Sequence, residues 1–241
     1  MGYKINLMPK IRLFFDESLE EKKTFHIVED DFHYLSNVMR CDVGSEVLLF
    51  NEKDGEYLSR LIEKDKKKIT LEVIEKAKYE IIKNNFNLIF CPPKSLKLDT
   101  LIQKCTEIGV KSFIPVISDH TENRKLNLDR IKKIIKESIE QSNQLNVPNL
   151  VDPISFNEFI NQHNSKVFFA DIQSEINFST LKINIEEENS ILIGPEGDFS
   201  SRELEILRSK ENFYSFSLGK RILRSETAAI ASLVLFNNLI N

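Results

Sequence analysis

SILIGPEGDFSSRELEILRSKENFYSFSLGKRILRSETAAIASLVLFNNLIN, residues 190–241, decides the fold: it sets two glycine-bearing loops after two apolar runs and closes on a nearly uncharged helix. The run Ser190-Ile191-Leu192-Ile193 is short, β-branched and stopped by Gly194-Pro195, so it predicts a buried strand that ends in a turn. Gly194 and Gly197 leave backbone N–H and C=O groups approachable by a ligand. Ser200-Ser201-Arg202-Glu203 has capping-box spacing and opens an amphipathic helix. A second strand, Phe213 to Leu218, ends at Gly219, and a basic loop from Gly219 to Thr227 runs into a helix start. From Thr227 to Asn241 no charged residue appears, and a helix apolar on nearly every face must be covered by its own domain or by a partner chain.

Upstream of this stretch, strands alternate with helices. Phe86 to Cys91 reads as a strand stopped by Pro92-Pro93, Lys97 to Ile108 as a helix closed by Gly109, and Phe113 to Ile117 as a strand. Leu128 to Gln144 reads as a long helix behind Asn127, Ser155 to Glu158 as a capping box, and Lys166 to Ala170 as a strand. That alternation predicts an α/β domain with a mostly parallel sheet. The first part of the chain has a different texture. Lys10 to Phe15, Lys23 to Val28, a short helix after Glu29-Asp30-Asp31, a hairpin around Asp54-Gly55 and a strand from Lys68 to Ile74 predict a small β-barrel. Charged Glu75-Lys76-Ala77-Lys78 reads as a linker, giving domains 1–76 and 77–241.

The length of 241 residues suits two domains, and 41% hydrophobic with 29% charged residues is ordinary for a globular chain. The three cysteines, Cys41, Cys91 and Cys105, lack CxxC spacing, and the four histidines form no HExxH, so reduced core thiols and no metal are expected. Met1 to Met8 is too short and polar for a secretory signal, and no apolar run reaches membrane length, so a cytoplasmic location is expected. A net charge of −4 argues against indiscriminate nucleic-acid binding. Yet Arg124, Lys125, Arg130, Lys132, Lys133 and Lys136 crowd one segment, which is either a local basic face or a solvated helix surface. Gly194-Pro195-Glu196-Gly197 matches neither GxGxxG nor the Walker A loop, so dinucleotide and nucleoside-triphosphate readings lack their phosphate cradle.

The segments IGPEGDFS (193–200) and LGKRILRSETAAI (218–230), with QKCTEIGV (103–110) and EQSNQLNVP (140–148), resemble the signature segments of the SPOUT methyltransferases, specifically the RsmE family, which methylates N3 of a uridine in 16S ribosomal RNA. Three departures stand out: Asp198 in place of a second glycine, Asn143-Gln144-Leu145 in place of a Gly-Arg pair, and Asp119-His120-Thr121-Glu122 in place of an Arg-Ser. The resemblance implies a PUA-like β-barrel ahead of a SPOUT domain whose chain forms a deep trefoil knot, a topology too rare to be read from composition. It also implies an S-adenosylmethionine slot made by Ala170, Ile193, Gly194, Pro195, Glu196, Gly197, Leu218, Gly219, Ile222 and Leu223.

For N3 methylation, Arg224 is the candidate to hold charge on the uracil oxygens, with a phosphate contact or a helix-linking ion pair as the alternatives. Glu196 is the candidate to orient the cofactor or act as base, or it only bonds nearby N–H groups. Arg12, Arg124, Lys132, Lys133, Lys220 and Arg221 are the candidate RNA contacts. The implied partners are 16S rRNA of the small subunit and a second copy of the chain, paired through the C-terminal helix. A non-catalytic RNA-binding or ribosome-assembly factor and a tRNA-directed SPOUT enzyme are the alternatives.

Overall fold

The structure is a computed structural model that describes residues 11–78, 84–181, 183, 184 and 186–240. Lys10, expected to open the first strand, lies outside them. The chain divides into two compact units, Met1–Ile82 with Ile139–Asn146, and Lys83–Ser138 with Val147–Asn241.

The first unit contains β1 (Ile11–Phe14), β2 (Thr24–Ile27), α1 (Glu29–His33) with a π-type turn after it, β3 (Glu46–Asn51), β4 (Gly55–Lys64) and β5 (Ile69–Lys78). The strands form one sheet in the order β1-β3-β4-β5-β2, parallel between β1 and β3 and antiparallel elsewhere. Asn51 faces Gly55 across the hairpin, and the Asp54 N–H donates to Asn51 Oδ1 at 2.6 Å, which closes the turn. The register shifts at three places along β4 and β5, and such breaks, like bulges, bend a ladder. The small barrel therefore takes the form of a curled half-barrel with β1 and β2 as its edges. Its concave side holds Leu13, Phe25, Ile27, Leu35, Val47, Leu49, Leu61 and Leu71, all buried. Residues 75–78, expected as a linker, are instead the end of β5, because Glu75, Lys76 and Lys78 pair with Leu58, Tyr57 and Glu56.

Arg12 corrects another expectation. It is 7% exposed, its Nε donates to Glu56 Oε2 at 2.6 Å, and its guanidinium lies 3.9 Å from the centre of the Phe50 ring. Nη1 donates to the carbonyls of Ile139 and Glu140 and Nη2 to that of Gln144, at 2.7, 3.2 and 2.8 Å. These are carbonyls at the end of a helix and in the turn after it, groups that a cation satisfies well. With its donors directed inward, Arg12 is a structural residue rather than an RNA contact.

The second unit runs β6 (Phe86–Phe90), α2 (Ser95–Ile108), β7 (Ser112–Ile117), α3 (Leu128–Gln141, whose last turn groups with the first unit), β8 (Asn149–Leu150), β9 (Ile154–Ser155), α4 (Phe156–Gln162), β10 (Lys166–Ala170), β11 (Asn189–Ile193), α5 (Ser201–Ser209), β12 (Phe213–Phe216) and α6 (Ser225–Ile240). The sheet has the order β12-β10-β11-β6-β7-β8, with β9 also on β7, and every pairing is parallel. Parallel sheets are covered on both faces. Here α2, α3 and α6 contribute Leu101, Ile102, Ile131, Ile135 and Leu233 to one core, and α4 and α5 contribute Phe156, Phe159 and Leu207 to the other. Both expected capping boxes, at Ser155 and Ser200, are present. The chain crosses β10 between β11 and β12, and α6 then returns to α2 and β11, the kind of crossing a trefoil threading requires.

α6 is covered mainly by its own domain. Phe236 is fully buried, with its ring 5.5 Å from Phe86, 5.1 Å from Phe168 and 5.0 Å from Phe216, and Leu233 lies in the same core. Val234 and Leu239 face outward. Leu233 and Phe236 therefore belong to the core and not to an interface.

Two stability tests follow from this packing. Arg12→Ala strands Glu56 in the interior and should lower unfolding free energy by about 3–5 kcal/mol in urea titration, where an effect under about 1 kcal/mol would refute the structural role. Phe236→Ala should cost about 3–5 kcal/mol through the cavity it leaves, measured in the same way.

Candidate functional site

Three parallel strands end level with one another. Phe169 pairs with Leu192, Ala170 with Phe216, and Ile193 with Phe90, so the loops after β10, β11 and β12 emerge along one edge of the sheet. Ligands in open α/β sheets sit beyond the carboxyl ends of strands. A cleft of about 360 Å³ opens at this edge. Ala170, Ile193, Gly194, Pro195, Glu196, Gly197, Leu218, Gly219, Ile222 and Leu223, the residues expected to form one slot, all line it. So do Asp171, Ile172, Asp198, Arg221, Ser225 and Ala228. Of these, the sequence singles out Arg221, as an RNA contact, and Asp198, as a departure from glycine.

The first loop is shaped by close approach. A Cβ on Gly194 would come within 2.8 Å of Phe199 Cε2, and Phe199 is buried against Phe156 with ring centres 5.9 Å apart, so only glycine fits there. The Asp198 N–H donates to the Pro195 carbonyl at 3.0 Å, which folds the loop into a turn. Asp198 has φ 63, the left-handed conformation glycine takes readily, and its Oδ1 accepts the Phe199 N–H at 2.7 Å. The departure from glycine therefore keeps a glycine-like backbone. Glu196 is ion-paired with Lys97 of α2, a residue 99 positions away in sequence.

The loop after β10 is tied by a second ion pair. Asp171, with a side chain 5% exposed, accepts Arg208 Nη2 at 2.6 Å and Nε at 3.1 Å on Oδ2, while its Oδ1 accepts the Gln173 N–H at 2.8 Å. Arg208 comes from α5, so both ties pair a loop with a distant helix. The loop after β12 is built differently. Gly219 has φ 102 and its N–H donates to Ser217 Oγ at 3.1 Å, while a Cβ there would meet nothing within 4 Å. Ile222 is 89% exposed, and Lys220, Arg221 and Arg224 are exposed beside it.

The remaining candidates are placed as follows. Arg224 precedes α6, and its carbonyl accepts the Ala228 N–H at 2.8 Å; its side chain is outside the cleft lining. Arg124 donates through Nη2 to the carbonyls of Ser118 and Asp119 at 3.1 and 2.8 Å, so its guanidinium already braces the segment after β7. Lys132 and Lys133 are exposed on α3. Cys91, at the end of β6, is no nucleophile, since burial pushes its thiol up to about 12. Lys97 and Arg208 escape a reading of the sequence because ion pairs across long sequence separation leave no local signal. Asp171, one residue past a strand end, has a positional signal. Among the described residues no cluster of three or more His, Cys, Asp or Glu is placed to hold a metal ion, and no helix is long and apolar enough to cross a membrane.

Comparison with known proteins agrees with this architecture. Residues 82–237 match the family described as RNA methyltransferase domain, and residues 27–74 the one described as RNA methyltransferase PUA domain. The molecule is thus an RNA methyltransferase of the parallel α/β type with a PUA domain ahead of it. Ribosomal RNA small subunit methyltransferase E of Rickettsia conorii is 32% identical, over 92% of this chain and 93% of that protein. Its Bacillus subtilis counterpart is also 32% identical, over 90% of this chain and 91% of that protein. With relatives at this identity along nearly its whole length, the chain belongs to the ribosomal RNA small subunit methyltransferase E family. The crystal structure of the Neisseria gonorrhoeae protein of that name, bound to S-adenosyl methionine, superposes with a TM-score of 0.88 at 25% identity, covering 95% of this chain and 98% of that one.

The two loop glycines should respond differently to one methyl group. Gly194→Ala forces Phe199 out of place and should cost about 1–3 kcal/mol in thermal or urea unfolding. Gly197→Ala, whose Cβ would lie an ordinary 3.8 Å from His120, should stay within about 0.5 kcal/mol. Equal effects would show that the loop is not packed as described.

Proposed function

We propose that this chain uses S-adenosylmethionine to methylate N3 of one uridine in 16S ribosomal RNA of the small subunit. The observation that carries the reading is the convergence of three strand-end loops on one cleft, in a chain of this family. The cleft suits the cofactor. Gly219 leaves open space where a side chain would stand, Ile193, Leu218, Ile222 and Leu223 supply apolar walls, and backbone groups of the first loop line one side. When bound there, the cofactor supplies an electrophilic methyl on a sulfonium.

A uracil N3–H is weakly acidic, so the nitrogen becomes a good nucleophile only when its proton leaves and the charge spread onto O2 and O4 is held. Arg224 offers a forked, permanently charged set of donors for those oxygens and stands exposed beside the cleft. Glu196 serves in this reading to orient the cofactor, because its ion pair with Lys97 fixes where the carboxylate stands at the cleft wall. Lys220 and Arg221, with Lys132 and Lys133, are the phosphate contacts. Pairing of two copies uses the outer face of α6, where Val234 and Leu239 are exposed, and the protein works in the cytoplasm.

Mass spectrometry of 16S rRNA from cells with and without the protein tests the reading, and a 3-methyluridine that persists in its absence would reject it. Arg224→Ala should lower the single-turnover rate at saturating RNA by about a hundredfold or more, because the lost interaction belongs mainly to the transition state. Lys132→Ala with Lys133→Ala should weaken RNA binding and flatten its salt dependence while leaving that saturated rate nearly intact.

A further inference from the structure

Next to the first loop, and outside the cleft lining, lies the segment that follows β7. It is pinned on both sides of His120. The Asp119 N–H donates to Glu203 Oε1 at 2.9 Å, Ser200 Oγ donates to Asp119 Oδ2 at 2.8 Å, and Thr121 Oγ1 accepts the Ser118 N–H at 2.8 Å. From this fixed position His120 Nδ1 donates to the carbonyl of Asp198 at 2.8 Å. The imidazole also lies against the bare face of Gly197, with Cβ and Nδ1 3.8 and 4.0 Å from where a Cβ would stand.

Asp198 needs such support. At φ 63 its Cβ crowds the following backbone, a strain glycine does not feel. The Oδ1 bond to the Phe199 N–H answers part of that strain, and the His120 bond fixes the direction of the next peptide plane. Asp198 and Gly197 both line the cleft, so the peptide plane that His120 orients belongs to a residue of the cleft wall.

We infer that His120 is a positioning residue for cofactor binding: its Nδ1–H holds the Asp198 carbonyl, which lets an aspartate occupy a glycine-type position in the first loop of the cleft. The two departures, at residue 120 and at residue 198, then form one coupled unit. The inference rests on reading the cleft as the S-adenosylmethionine site. It does not place His120 on the cofactor or on the reacting atoms.

Two readouts separate the inference from that reading. Without cofactor, His120→Leu should speed amide hydrogen exchange across residues 195–199 by about tenfold, because local opening is no longer resisted. By calorimetry it should weaken S-adenosylmethionine by about tenfold, while kcat with both substrates saturating stays within about twofold, as loss of uniform binding requires. His120→Asn, whose Nδ2 takes the place of Nδ1, should stay within about threefold of wild type in both readouts, whereas His120→Gln should behave like leucine. In a double-mutant cycle, the loss on His120→Leu should shrink to under about threefold in the Asp198→Gly background. Normal exchange and normal affinity in His120→Leu would overturn the inference, as would an undiminished loss in the Asp198→Gly background. Wild-type protein that binds no S-adenosylmethionine, but whose loop still loosens in His120→Leu, would sink the reading of the cleft and leave the positioning role standing.

Discussion

The parallel register of β10 with its two neighbours is the constraint on which the site depends. β10 carries β11 on one side and β12 on the other, and the pairs Phe169 with Leu192 and Ala170 with Phe216 bring all three chain ends to the same edge. Parallel strands point their carboxyl ends in one direction, so each following turn must leave from that edge. A slip of one residue in either ladder would turn buried Phe168 and Ile191 toward the opposite face and separate the loops. The aromatic core around Phe86, Phe168, Phe216 and Phe236 resists such a slip, because its rings already meet at 5.0–5.5 Å.

Helices set how firmly each loop is held. α2 supplies Lys97 for the loop after β11, and α5 supplies Arg208 for the loop after β10. The second pair buries its carboxylate, where two arginine N–H donors on one carboxylate oxygen offset desolvation better than a single contact would. The loop after β12 has a different character, with an exposed isoleucine and three exposed cations next to the cleft. Two walls are therefore braced by ion pairs, and the third offers apolar and cationic surface for whatever enters.

Charge by itself is a poor guide to contact. Arg12 and Arg124 look like Lys132 and Lys220 in sequence, yet the first is buried among carbonyls and the second braces a turn. An arginine has enough donors to satisfy several carbonyls at once, so burial turns it into a structural clamp. In the same way, Glu75 to Lys78 reads like a linker because its residues are charged, but the backbone ladder with β4 continues through them while the Glu75 and Lys76 side chains stay exposed.

Local signals make much of the molecule legible in the sequence. Apolar runs of strand length, the capping boxes at Ser155 and Ser200, and the glycines at the ends of β11 and β12 depend on neighbouring residues, so they set the α/β alternation and the position of the loops. The resemblance carried by residues 193–200 and 218–230 then groups those loops into one slot. Only the tertiary structure decided which side chains hold them. Lys97 reaches Glu196, Arg208 reaches Asp171 and His120 reaches Asp198 across long stretches of chain, and such pairs exist only once the sheet has set the distances. The burial of α6 was settled in the same way: an apolar helix states that it must be covered, whereas what covers it depends on the faces the rest of the fold leaves open.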